Sequence, residues 1–378
     1  MHHTKSAPSI LVVGYAAVDI TGQKDNTSVS NVNDEIATTW PGRVSLSLGG
    51  VGRNMAEAIH GILQGQDVIV KLVSPVGTDN FAKVIEQGMS SIGLSTSGLM
   101  PGPSRTASVM LLLDKGGDLI TGIADIDESR PSKDEVDAMI RSHQPSIVVM
   151  DGNISKEAME AVLTQRSNSH ILFEPTSVER SVKVIQVIVK LVKNSKVAFR
   201  FPHVITPNVY EVVAMHAEAV KHNLFSVKDL PNLEGTLADS GVATSTWGNE
   251  NIVYAAAQLA YLLQTTLLVK GGRRGVLVAR YSPSNDSVHL SHHPAKNIDP
   301  SQIVNTTGAG DTFASAIVAG LFTLKQSGKA DLSNLCDEKI WSAIVAEAQN
   351  AALLTLQSGE SISSRLQEIG REWKKWIE

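Results

Sequence analysis

The sequence predicts an α/β fold in a single domain spanning 1–378: a mainly parallel central sheet with helices on both faces and a small β layer beside it. Three observations carry that expectation. Short β-branched or apolar runs recur along the chain: "ILVV" at 10–13, "VIVKLV" at 68–73, "SIVVM" at 146–150, "ILF" at 171–173, "VIT" at 204–206 and "TLLVK" at 266–270. Strands covered on both faces read as such continuous runs. Between them lie segments whose apolar residues fall three or four apart, such as Met55, Ile59, Ile62 and Leu63, and later Phe313, Ile317, Leu321 and Leu324, the period of a helix with one buried face. Strands alternating with helices need crossover connections, which make the sheet parallel.

The third observation is where the rhythm breaks. Residues 17–47 are polar and rich in Thr and Ser, and "RTASVMLLLDKGGDLITGIADID" at 105–127 reads as two strands joined around "KGGD". These two segments are expected to form a small sheet that covers a ligand. The stretch "VKVIQVIVKLVK" at 182–193 reads as an amphipathic helix packed on the main sheet. The polar segment at 221–252 is expected to be a surface excursion.

Composition narrows the function. A chain of 378 residues with 42% hydrophobic content can bury a substantial core. The net charge is −5 and no long basic run is present, which argues against a nucleic-acid polymer as partner. No apolar stretch approaches a membrane span, and "SILVVGYAAV" lacks a basic leader and stops at Asp19, so it reads as a first strand rather than a signal peptide. The lone cysteine, Cys336, excludes an intramolecular disulfide and fits a cytoplasmic protein. The histidines show no zinc-ligand spacing.

Three motifs carry chemistry. In "NTTGAGD", a strand leads through Gly308, Ala309 and Gly310 into a helix starting near Asp311. Unpaired backbone N–H groups at a helix start attract anions, and glycines let an anion approach the main chain. A carboxylate beside such a pocket can take a proton from an alcohol as it attacks phosphorus; on the residues alone, a helix N-cap is the competing role for Asp311. "GGVGRN" repeats the arrangement with Gly49, Gly50 and Gly52 before a helix, and Asn54 offers a donor and an acceptor to a polyhydroxylated ligand. "TPNVYE" sets Asn208 three residues before Glu211, the spacing of a capping box that is also compatible with Glu211 organising a hydrated magnesium ion. "VKGGRRG", with Lys270, Gly272 and Gly275, is a glycine turn between two strands, suited to lie along a nucleotide.

Taken in this order, each at a strand-to-helix junction, "GGVGRN", "TPNVYE" and "NTTGAGD" resemble the signatures of the PfkB or ribokinase family of sugar and nucleoside kinases, over nearly the whole chain from Ile10 to about Ser364. The resemblance implies a ribokinase-like three-layer sandwich with a β-sheet lid, contributed here by about 17–47 and 105–127. It implies ATP and Mg2+ as cofactors, with Asp311 as the base and Gly308, Ala309 and Gly310 as an anion hole. Asp19, Gly49, Gly50, Arg53 and Asn54 would hold the sugar of the substrate. Asn208, Glu211, Lys270, Gly272, Gly275 and Asn350 would serve the nucleotide, Glu211 reaching the metal through water.

Within the family, the substrate-facing pieces are most similar to pseudouridine kinases. Val51 and Arg53 stand where ribokinases typically read "GGKGAN", and the 106–127 segment, with Asp125 and Asp127, matches the corresponding stretch. This implies ATP-dependent phosphorylation of the 5'-hydroxyl of pseudouridine; the alternatives are a ribokinase or another nucleoside or sugar kinase, or a non-enzymatic nucleoside-binding regulator. Asn305 replaces an Asp that often helps shape a monovalent-cation site, which weakens the case for K+ activation. An open lid edge leaves a homodimer open, and a pseudouridine-5'-phosphate glycosidase would be a functional partner.

Overall fold

The computed structural model describes all residues except 1–7, 26–38, 40, 103–104, 115–118, 195, 227–232, 249, 330–331, 333–334, 336 and 378. The expected turn at 115–118 and Cys336 lie outside the described residues. The strands are β1 (Ser9–Val13), β2 (Ala17–Lys24), β3 (Gly42–Gly49), β4 (Ile69–Val76), β5 (Leu99–Pro101), β6 (Ser108–Leu113), β7 (Leu119–Asp125), β8 (Ile147–Asp151), β9 (His170–Glu174), β10 (Val204–Ile205), β11 (Thr266–Lys270), β12 (Val276–Ser282) and β13 (Ser287–His293). The helices are α1 (Val51–Ile62), α2 (Asn80–Ser91), α3 (Lys133–His143), α4 (Lys156–Thr164), α5 (Val178–Lys193), α6 (Val209–Lys221), α7 (Leu233–Asp239), α8 (Glu250–Leu262), α9 (Ala309–Ser327), α10 (Glu338–Leu356) and α11 (Gln367–Ile377).

Nine strands form the main sheet in the order β13-β12-β11-β10-β9-β8-β1-β4-β5, parallel except for the β11–β12–β13 meander. Its central strands are apolar and buried on both faces, as the runs at 10–13 and 147–150 require. One layer, with α5, α6 and α8, packs Val184, Ile188, Met215 and Leu259 on the sheet; the other, with α1, α9 and α10, packs Met55, Ile59, Ile317 and Ile344. The result is the expected three-layer sandwich. The carboxyl ends of β1, β8, β9 and β11 therefore converge on one edge, where α/β sheets collect their ligands.

The small sheet has the order β3-β2-β6-β7, with β2 and β6 parallel and the outer pairs antiparallel. Its register sorts its side chains. Leu46, Ile20, Met110 and Ile123 align across the four strands on one face, with Leu46, Met110 and Ile123 exposed. Ser47, Asp19 and Val109 align on the opposite face, because alternate residues of a strand point opposite ways.

The segment at 221–252 departs from the expected surface excursion. It contains α7, a short 3-10 turn at Thr244–Trp247 and the start of α8, and Trp247 is fully buried. Trp247, with Leu224, Val242 and Ile252, anchors an otherwise polar stretch to the core, and its large ring supplies the greatest share of that buried apolar area. Among the described residues no helix is long and apolar enough to cross a membrane.

Candidate active site

Asp311 lies in the first turn of α9, and the residue that caps this helix is Gly308, not Asp311. Gly308 has φ +77° and a side chain there would run into the backbone of Ser361, so the loop demands glycine. Among the described residues no side chain caps α9, which leaves the N–H groups at its start open to an anion. The N-cap alternative for Asp311 is thereby set aside. Its carboxylate instead accepts a hydrogen bond from Asn54 Nδ2 at 2.8 Å. Asn54 comes from the first turn of α1, which packs against α9 and begins after Gly50, itself at φ +88°. Asp19 lies against Gly49 at the end of β3; the first strand ends at Val13, and Asp19 sits within β2. Burial raises the Asp19 carboxyl above its ordinary value, and Arg53 works against that shift.

Behind Asp311 is a charged cluster. Lys270, the last residue of β11, donates to both carboxylate oxygens of Glu174 at 2.8 Å. Glu174 ends β9 and also accepts from Thr206 Oγ1 at 2.5 Å. Lys270 Nζ would stand 3.4 Å from a Cβ at Gly310, so the ammonium lies beside the glycine loop. Burial alone would lower the Lys270 pKa, but Glu174 and Glu211 hold it above its ordinary value. Burial also pushes Asp311 up to about 7, reinforced by the Glu174 carboxylate and opposed by the Asn54 hydrogen bond and by Lys270. A carboxyl poised near neutrality is tuned for proton transfer.

Asn208 and Glu211 form the capping box that their spacing suggests: Asn208 Oδ1 accepts from Glu211 N at 2.9 Å, and Glu211 Oε2 accepts from Asn208 N at 2.7 Å. Glu211 is buried, which raises its pKa against the opposing charge of Lys270. Among the described residues no three His, Cys, Asp or Glu side chains converge on a metal-sized site. One Glu211 oxygen is committed to the cap, and the other can accept from a metal-bound water, which suits an ion that keeps most of its hydration shell.

A cleft of about 550 Å³ adjoins the glycine loop, lined by Lys270, Gly272, Gly275, Gly310, Phe313 and Leu353. Val276, Ile298 and Leu356 make its walls apolar, while Arg273 and Lys296 add cations. Apolar walls with a few charged groups can take a flat base and its phosphates.

Two of the expected contacts sit elsewhere. Arg53 is buried and turned inward: Nη1 donates to Leu48 O at 2.9 Å and to Asn54 Oδ1 at 3.0 Å, and Nη2 pairs with Glu57. Asn350 donates to Glu347 at 3.2 Å and is not among the α10 residues that line the cleft, which are Gln349, Ala352, Leu353 and Leu356. Asn305 closes its own loop, accepting from Thr307 N at 2.9 Å. Glu174 and Asp151 escaped the sequence reading. Asp151 is fully buried at the end of β8, accepts from Tyr15 N at 3.0 Å and Asn153 N at 2.9 Å, and is pushed up to about 6 by burial. Both acids end apolar strand runs, "SIVVMD" and "ILFE", and that position was the available signal.

Residues 7–368 match the model of the pfkB family of carbohydrate kinases. The chain belongs to the pfkB family. Membership makes it a phosphotransferase with an alcohol group as acceptor. Among its curated relatives, the pseudouridine kinase of Escherichia coli strain K12 is 26% identical over 316 residues, covering 82% of each chain. The pseudouridine kinase of Arabidopsis thaliana is 24% identical over 348 residues, covering 82% of this chain and 84% of its own. An Arabidopsis thaliana ribokinase solved in complex with ribose and ATP superposes with a TM-score of 0.60 at 17% identity, covering 99% of each chain. The pfkB chain thus has the ribokinase-like fold, with a large mostly parallel sheet and a smaller sheet beside it.

Proposed function

We propose that this pfkB kinase transfers the terminal phosphoryl group of ATP to the 5'-hydroxyl of pseudouridine. The observation that carries the reading is the position of Asp311. It is hydrogen-bonded to Asn54, follows Gly310 at the wall of the apolar cleft, lies at a helix start with no side-chain cap among the described residues, and feels the charges of the Lys270–Glu174 pair. The names of the two curated relatives and the fold of the ribokinase crystallised with ribose and ATP support the choice of substrate class and donor.

In this reading Asp19 and Asn54 orient the ribose, and the small sheet acts as a lid whose Asp19 face covers it. The acceptor hydroxyl gives its proton to Asp311 as the oxygen attacks phosphorus. The N–H groups of Ala309, Gly310 and Asp311, with Lys270 beside them, take up the charge of the transferred group. Phosphoryl transfer depends mainly on such positioning and charge stabilisation. Mg2+, carried by the nucleotide and steadied by Glu211 through water, would supply further charge neutralisation. Closure of the lid keeps water from becoming the acceptor.

The test is an acceptor panel of pseudouridine, uridine, adenosine and ribose, each with ATP and Mg2+, with and without K+. Pseudouridine is expected to have the highest kcat/KM by at least about tenfold, the discrimination that a few lost polar contacts produce. Preference for ribose or adenosine would reassign the acceptor while keeping the transfer chemistry, and binding without turnover on any acceptor would favour the regulatory alternative.

A further inference from the structure

We infer that Arg53 is a positioning residue, which acts through Asn54 to hold the Asp311 carboxylate in place. The inference rests on the reading of Asp311 as the base and adds a residue to it. Its basis is an unbroken line of contacts: Glu57 to Arg53 Nη2, Arg53 Nη1 to Asn54 Oδ1 at 3.0 Å, and Asn54 Nδ2 to Asp311 Oδ2 at 2.8 Å. A carboxamide is free to rotate by half a turn, exchanging its oxygen and nitrogen. Here it cannot, because a guanidinium only donates and an ionised carboxylate only accepts. With Arg53 on one side and Asp311 on the other, only the orientation that aims the N–H at Asp311 satisfies both neighbours.

Arg53 is itself fixed. Its side chain is 9% exposed, and Nη1 also donates to Leu48 O at 2.9 Å. A head group held on several sides cannot turn to a sugar in the open site without breaking these contacts. Burial lowers the Arg53 pKa, while Glu57, Asp19 and Glu360 act to keep the charge. The guanidinium therefore also balances an acidic wall next to the ribose side. A lysine could carry the charge but not reach several acceptors in a planar fork.

The experiment uses the double variant R53M/E57L, which removes both members of the buried pair so that neither charge is left uncompensated. Two quantities are read: kcat and KM with pseudouridine, ATP and Mg2+, and the titration of the Asp311 carboxyl by 13C NMR, assigned by its loss in Asp311→Asn. The groups facing Asp311 are Asn54 from α1, Lys270 from β11, Glu174 from β9 and Asp151 from β8; of these, only the Asn54 contact changes in the variant. Losing a donor to the charged form raises an acid's pKa. The double variant should therefore titrate at higher pH than the wild type. Its kcat should fall by about tenfold or more, the effect of a misplaced catalytic group, with KM for the nucleoside within about threefold. A rise in KM with kcat and the titration unchanged would make Arg53 a substrate ligand and overturn the inference. If the double variant does not fold, Arg53→Gln answers the same question, because a carboxamide both donates and accepts and no longer fixes the Asn54 orientation; an unmoved titration there overturns the inference equally. Normal turnover by Asp311→Asn would instead remove the base assignment, while the titration would still show whether Arg53 governs that carboxyl.

Discussion

Asp311 is an acid kept where ionisation is disfavoured, and that cost is visible in stability as well as in rate. Burial and the nearby Glu174 carboxylate raise it from 3.8 to about 7. Between those two values the folded chain holds a proton that the unfolded chain has lost, so stability falls as pH rises through this window and levels off above it. Asp311→Asn removes the ionisation, so its stabilising effect should be small near pH 4 and grow to a rise of about 1–3 °C in Tm at pH 8, read by thermal melts across the range. A difference that shrinks with rising pH would contradict the raised pKa. Under the base role proposed for Asp311, catalysis runs the opposite way: the base must be ionised, so kcat/KM should climb through an acid limb near pH 7. At this scale the sequence was readable where a residue's neighbours in the chain set its conformation, as for the glycine loop and helix start at Gly308–Asp311. It was not readable for Arg53 or Asn350. Arg53 depends on Glu57 and Leu48 lying inward of it, and moving from Gln349 to Asn350 turns a side chain by about 100° around the helix.

At the scale of elements, two glycine loops start α1 and α9 side by side, which is how residues 257 apart in sequence come to share the Asn54–Asp311 hydrogen bond. The loops were legible because small residues before an amphipathic run have few other uses. The turn at 271–275 was legible too, as a glycine break between two apolar strands, but its support was not. Trp247 lies under it, in van der Waals reach of Gly271 and edge-on to His292 at 5.5 Å. Scattered apolar residues in a polar segment set up no period, so the reading of 221–252 missed Trp247. Trp247→Ala should cost about 3–5 kcal/mol, the usual range for emptying a buried aromatic site. Because the turn lines the cleft, KM for ATP should rise more than KM for the nucleoside, as a steady-state comparison would show. Equal effects on both would detach Trp247 from the nucleotide side. Gly308→Ala tests the other loop: the added methyl meets Ser361 at a positive φ, and kcat should fall by at least about a hundredfold while the fold persists.

On the scale of the whole molecule, the main sheet brings Glu174 and Lys270 to one edge, the α1 and α9 starts bring Asn54 and Asp311, and the small sheet brings Asp19. The alternation of strands and helices made this architecture legible, since a parallel sheet delivers its carboxyl ends to one side whatever its side chains. The buried acids Glu174 and Asp151 were less legible, because an acid that ends a strand is common and only the assembled edge distinguishes a site from a turn. We propose that this edge transfers phosphate by way of Asp311. The most direct measurement is the formation of pseudouridine 5'-phosphate from ATP and pseudouridine by the wild type and by Asp311→Asn, both shown to be folded. The expected result is turnover by the wild type and a loss of about 10²–10⁴-fold in the variant; near-normal turnover by Asp311→Asn would contradict it.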